Sequence, residues 1–162
     1  CRTGELCDAE WRDFDLDQGI WHLKASKNST ERYVQLSTQC VNFLYTFYKP
    51  DQKYLFASGR TGLPIQQKSL SEMKWQLKNP EKVQTKYRPE QLWLENMDDW
   101  NPHDLRRTVR TGLSRLGCPT DIAEAVLGHS KKGIEGTYNL HNYEAECAEW
   151  LQKWADHMEK LI

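Results

Sequence analysis

The chain has 162 residues, with 22 lysines and arginines against 23 aspartates and glutamates, a formal net charge of −1, and five cysteines. That length suits one domain able to bury its own core without metals or disulfides. The near-neutral charge excludes a protein held on nucleic acid by bulk charge alone. No run of about eighteen apolar residues exists, which leaves no candidate for a membrane-spanning helix.

Cys1, Cys7, Cys40, Cys118 and Cys147 are odd in number, and their spacing fits no zinc template, so reduced thiols in a cytosolic protein are expected. No signal peptide is visible. The chain opens on Cys1 in sequence that is already patterned, and it reads as a fragment of a longer protein.

Alternation of apolar and polar residues predicts three short strands in residues 12–37: one around Phe14 and Leu16, one around Ile20, Trp21 and Leu23, and one around Tyr33, Val34 and Leu36. Gly19 and the polar run 26–30 supply the turns, so the strands form a small antiparallel sheet with Lys27 at the tip of its second hairpin. Ser37 is placed to cap a helix, TQCVNFLYTFY, that stops before Pro50. KYLFAS is a short apolar piece. SLSEMKWQLKN reads as a helix with Leu70, Met73, and Trp75 or Leu77 on its buried side, ending before Pro80. Residues 80–100 are polar and predict a long loop with a short helical part around Glu90–Glu95.

Pro102 starts a helix near His103 that runs to Leu116, with Gly117 as its terminating residue. Thr120 or Asp121 caps the next helix, Glu124 standing at the capping-box distance from Asp121, and Gly128 ends it. A last helix from Asn142 carries Ala148, Leu151, Trp154, Ala155, Met158 and Leu161 at helical spacing. The class is α+β, mainly helical.

Charge is unevenly spread. Residues 101–140 hold six basic and four acidic side chains, whereas residues 141–162 hold two and five. The basic stretch contains the residues with most chemical potential. His103 and Arg106 are three apart and share a helix face. Near a helix start they would meet an anion together with unpaired backbone N–H groups and the positive end of the dipole. A phosphate suits that set, because a guanidinium grips it bidentately and an imidazole moves a proton. Taken alone, HxxR also describes an ordinary exposed helix start. Arg107 and Arg110 are either solvated or meet flanking phosphates. His129, after Gly128, reads on its own as a structural histidine. Tyr138 on its own reads as core, since a phenol with a pKa of about 10 is a poor nucleophile without a base and cationic neighbours.

The order of the segments changes that reading. CRTGEL opens the chain, KASKNSTERYVQLS forms the hairpin, and HDLRRT, LGHS and GTYN follow. In this order and spacing, over residues 1 to about 143, they resemble the tyrosine recombinases, or phage-type integrases. The resemblance implies that family's catalytic-domain fold, with a three-stranded antiparallel sheet near the N-terminus. It implies that residues 1–162 are a C-terminal catalytic domain whose N-terminal DNA-clamping domain and leading helix are absent.

It further implies a division of labour. Tyr138 attacks a scissile DNA phosphate and leaves a 3′-phosphotyrosine. Arg2 and Arg106 clamp the non-bridging oxygens. Lys27 protonates the leaving 5′ oxygen, with Lys24 as the alternative acid. His103 accepts the tyrosine proton, His129 hydrogen-bonds the phosphate, and Glu5 is the acidic supporting residue. Tyr143 lies too far from His129 for the family's pattern. No cofactor and no metal are implied, since the arginines supply the neutralisation.

The implied role is integration or excision of a prophage or genomic island in the bacterial cytoplasm, at the nucleoid. The implied partners are duplex DNA at attachment sites, other protomers in a tetrameric synapse, and accessory DNA-bending proteins, with no membrane. Relaxation of DNA in the manner of a type IB topoisomerase, and a non-catalytic DNA-binding or assembly module of the same fold, are the alternatives. In the family the last helix often docks on a neighbouring protomer; packing within the same chain is the expectation here.

Overall fold

The computed structural model describes residues 1–25, 30–79, 99–129 and 143–161, with the backbone alone at Leu77 and Lys78. Helix α1 (Thr3–Cys7) is a single turn, held by the Glu5 carboxylate accepting from the Arg2 backbone N–H at 2.6 Å. A 3-10 turn (Trp11–Asp13) leads into β1 (Phe14–Asp15), β2 (Ile20–Leu23) and β3 (Arg32–Gln35), an antiparallel sheet in the order β1-β2-β3. Phe14 pairs with Trp21, and Trp21 with Val34. Gly19, at φ 64, makes the first turn and its carbonyl accepts from Leu36 at 2.8 Å. The alternation read from the sequence holds: Trp21 and Leu23 are buried, while His22 points outward and stacks on Tyr33.

Ser37 caps α2 (Thr38–Phe47), its hydroxyl accepting from Cys40 N–H. The apolar piece after α2 closes the first core. Leu55 is buried, and its N–H donates to the Ala9 carbonyl at 2.8 Å. Trp11, Trp21, Leu23, Leu44 and Leu55 form this cluster, with Phe14 stacked on Trp21.

Helix α3 (Gln67–Lys78) forms where the periodicity places it; of the residues expected inside, Leu70 is half-buried, Met73 and Trp75 are not, and the Leu77 side chain lies outside the described residues. Met73 and Trp75 are exposed, at 54% and 50%. Lys74, one turn after Leu70, is also half-buried, and its ammonium donates to the Asp99 carboxylate at 3.0 Å and to the Trp100 carbonyl. Its stem lies along the helix where an apolar residue was expected, while its charged head finds two oxygen partners. The loop and short helix expected around Glu90–Glu95 lie outside the described residues.

Helix α4 (Pro102–Arg115) begins with a cap that the sequence reading did not name. Asn101 Oδ1 accepts from His103 N–H at 2.9 Å, and the Asp104 carboxylate accepts from Asn101 N–H at 2.9 Å. It ends as expected at Gly117, φ 87, with Gly117 N–H bonded to the Ser114 carbonyl and Cys118 N–H to the Leu113 carbonyl. Helix α5 (Thr120–Val126) follows Pro119 with no side-chain cap, so neither Thr120 nor Asp121 plays the expected part, and Glu124 is used elsewhere.

Helix α6 (Glu144–Glu159) starts at Tyr143, φ 55, and packs within its own chain against α4, α5, α2 and β3. Gly112 lets it approach: a Cβ there would lie 2.0 Å from the Trp154 ring. Leu113, Cys118, Ile122, Ala123 and Cys147 form the second core, with Trp150 and Trp154 packed on it. Met158 and Leu161, expected on the apolar stripe, are exposed because the helix runs past that core. Gln152 bridges to α2, accepting from Thr38 N–H at 2.9 Å and donating to Gln39 Oε1 at 2.9 Å. All five cysteines are free thiols, and burial pushes Cys147 up to about 11. No helix among the described residues is long and apolar enough to cross a membrane.

Candidate active site

Four of the six residues expected to react, and the supporting Glu5, lie among the described residues. Lys27 and Tyr138 do not. Lys24, the alternative acid, is ion-paired at 2.5 Å to Asp13 beside β1. Tyr143, the second tyrosine, is packed on the second core at the head of α6.

Arg2 and Arg106, from opposite ends of the sequence, share one electrostatic neighbourhood. Arg2 donates through Nη1 to Glu5 Oε1 at 3.0 Å. Arg106 donates through Nη2 to the Leu127 carbonyl, one of the orphan acceptors at the end of α5. Its Nη1 is buried and finds no hydrogen-bond partner among the described residues. Burial, and next the charge of Arg2, pull Arg106 below the ordinary arginine range; Glu5 acts in the opposite sense, and Arg32 adds to the repulsion. A guanidinium stays protonated in such a place, so among the described residues positive charge exceeds negative around it.

Glu5 organises the cluster. Its side chain is only 5% exposed, and it accepts four hydrogen bonds: from Arg2 N–H, from Arg2 Nη1, and from both terminal nitrogens of Arg32 at 3.1 and 2.8 Å. Burial by itself would push this carboxyl up; the bonds from Arg32 and Arg2 outweigh it and hold it down at about 2. Arg32 was not singled out from the sequence. The signal was available, since Arg32 sits two residues before Val34 on the inward side of β3, where a charge must find a partner.

His129 is placed by the end of α5. Gly128 at φ 63 turns the chain, Gly128 N–H bonds to the Ala125 carbonyl, and His129 N–H to the Glu124 carbonyl. The Glu124 carboxylate then takes the ring, with Nδ1 at 2.5 Å from Oε2. That contact puts the proton on Nδ1 and leaves Nε2 for another partner. Glu124 is held below the usual carboxylate range by His129 first and Arg110 second. Its part is therefore to orient His129, a role read in the sequence as capping.

His103 is exposed at the first turn of α4, one turn before Arg106. The expected open N–H groups at that helix start are partly consumed, because the Asn101 cap takes His103 N–H. Of the two flanking arginines, Arg110 is committed to Glu124 at 2.7 Å and to Ser114. Arg107 contacts Asp104 at 3.1 Å, with its side chain 73% exposed.

Chemically, the described part is a seam: α1 and β3 bring Arg2, Glu5 and Arg32, while α4 and the end of α5 bring Arg106 and His129. It can bind a tetrahedral oxyanion and stabilise charge that grows on it.

Residues 1–145 match the phage integrase family. A probable integrase/recombinase protein of Methanocaldococcus jannaschii is 25% identical over 158 residues, which is 94% of this chain and 46% of that protein. The fold is similar to the crystal structure of XerA recombinase, with a TM-score of 0.58 and 23% identity, covering 96% of this chain and 53% of that one. The chain thus spans about half the length of the proteins it matches.

Proposed function

The chain belongs to the phage integrase family, and from that premise we propose that it is the catalytic part of a site-specific tyrosine recombinase acting on duplex DNA. One observation carries the reading: the Glu5 carboxylate is bonded to the guanidiniums of Arg2 and Arg32 and lies in electrostatic reach of Arg106, which keeps a buried donor unsatisfied among the described residues. A phosphodiester supplies both negative charge and an acceptor.

In this proposal the Tyr138 phenolic oxygen attacks the scissile phosphorus. The bond from phosphorus to the tyrosine oxygen forms as the bond to the 5′ oxygen breaks. His103 takes the phenolic proton, and Lys27 gives a proton to the departing 5′ oxygen. Arg2 and Arg106 hold the non-bridging oxygens as charge builds on them, and His129 adds a hydrogen bond through Nε2. Attack by the 5′ hydroxyl of a second strand reverses these steps. The phosphotyrosyl bond keeps the energy of the broken one, so no nucleotide cofactor is needed.

The recombinase would serve a prophage or genomic island at attachment sites, assembled as a tetramer with DNA-bending proteins in the cytoplasm. Phosphate contacts make its DNA affinity fall with salt.

The test is a nicked suicide duplex that traps the covalent intermediate. A protein–DNA adduct is expected with the unmodified sequence and none with Tyr138→Phe, while Arg106→Ala slows adduct formation by about a hundredfold or more. Binding without adduct would instead mean a non-catalytic module, and relaxation without exchange between two sites would mean topoisomerase action.

A further inference from the structure

Arg32 contacts two of the segments that the proposed reaction requires and lies in electrostatic reach of a third, yet nothing above gives it a step. It opens β3 opposite Leu23, and its side chain is only 16% exposed. Both terminal nitrogens are bonded to the two oxygens of Glu5. The rest of the guanidinium lies against Gly128: a Cβ on that glycine would be 2.5 Å from Nε and 2.6 Å from Cζ of Arg32. Gly128 immediately precedes His129. Arg106, on α4, feels the charge of Arg32 as well.

We propose that Arg32 is a positioning residue that sets Arg2, by way of Glu5, and His129, by way of the Gly128 turn, without itself touching the phosphate. The chemistry of the fork supports this. A carboxylate shared by two arginines fixes both planes at once, and Arg32 points the end-on face of its guanidinium, one N–H from each terminal nitrogen, at Glu5 rather than at a phosphate. Its planar group fits flat against a glycine backbone where any side chain would collide. This role rests on the recombinase reading for its catalytic consequence but not for its geometry, so two readouts are needed.

The first is the rate of phosphotyrosyl adduct formation on the nicked suicide duplex, using the 162-residue chain. Arg32→Ala and Glu5→Gln are each expected to slow it by about tenfold to a hundredfold. The double variant falls no more than about threefold below the slower single one, because both remove the same link. Half-saturation by DNA stays within about threefold. Arg32→Lys, which keeps the charge but not the fork, recovers only part of the rate.

The second readout needs no activity. In heteronuclear NMR of the DNA-free chain, Arg32→Ala shifts or broadens the Arg2 side-chain Nε–H signal and the Gly128 and His129 amides, while the Trp154 indole signal, in the other core, stays in place. If Arg32→Ala does not fold, Arg32→Lys gives the same comparison. Multiplicative losses in the double variant, or a loss confined to DNA affinity, would make Arg32 a phosphate ligand and overturn the proposal. Unchanged Arg2 and His129 signals in a folded variant would also overturn it. If the unmodified chain forms no adduct, the recombinase reading fails, and the NMR comparison alone decides the positioning role.

Discussion

A single carboxylate decides much at the residue scale. Glu5 titrates at about 2 in the folded chain against an ordinary value of 4.5. Between those values the unfolded chain binds more protons than the folded one. Its contribution is therefore full above about pH 4.5 and is lost as pH falls toward 2. The size is about 3 kcal/mol, since a side chain only 5% exposed is little screened by solvent. Urea unfolding from pH 7 to pH 2.5 is expected to show a fall in stability that is shallower in Glu5→Gln, which is itself less stable at pH 7. Equal pH slopes in the two proteins would contradict this. Glu124 works in a similar manner on His129 and Arg110. The sequence made both acids visible and assigned Glu5 its supporting part through resemblance, but Glu124 was read as a cap, because spacing along a helix cannot tell a carboxylate that bends back from one that reaches past the end.

Two kinds of control operate on the elements. Ends of helices are written locally: Ser37 starts α2, Gly117 ends α4 and Gly128 ends α5, each by bonds that span five residues or fewer. These were legible, because a hydroxyl or a left-handed glycine acts on its own neighbours. Helix rotation is not local. Helix α3 puts Lys74 with Leu70 on its inner side and leaves Trp75 exposed, which no periodicity within its own residues specified.

The contact between α4 and α6 is the strictest at this scale. Trp154 occupies the space where a Gly112 side chain would be, and a methyl group there would lie 2.0 Å from the ring. Gly112→Ala is expected to destabilise the chain by about 1–3 kcal/mol despite its better helix propensity. Thermal unfolding would measure this, and pairing it with Trp154→Leu should restore part of the loss. An alanine variant as stable as the original would show that α6 does not sit so close.

For the whole molecule, the site lies where two cores meet. The first core carries Arg2, Glu5 and Arg32 on α1 and β3; the second carries Arg106 and His129 on α4 and the end of α5. Helix α6 contacts β3 and α2 as well as α4 and α5, with Gln152 holding the polar edge of that joint. The two cores should therefore unfold as one. Leu55→Val and Leu113→Val, one in each core, are expected to cost about 1 kcal/mol apiece, to add within about 0.5 kcal/mol, and to move a single transition. Two separated transitions in calorimetry would mean that the seam, and with it the site, opens on its own.

Local sequence was enough for the order of the motif residues, the three strands with the first of their turns, and where most helices stop. Each of these depends on side chains acting on backbone a few residues away. It took the folded chain to show that Arg32 shares Glu5 with Arg2, that Glu124 holds His129, that Gln152 of α6 reaches α2, and that Lys74 joins Leu70 on the inner side of α3. Those outcomes join residues as far apart as Thr38 and Gln152, and long-range packing chooses among faces that are equivalent to the local chain.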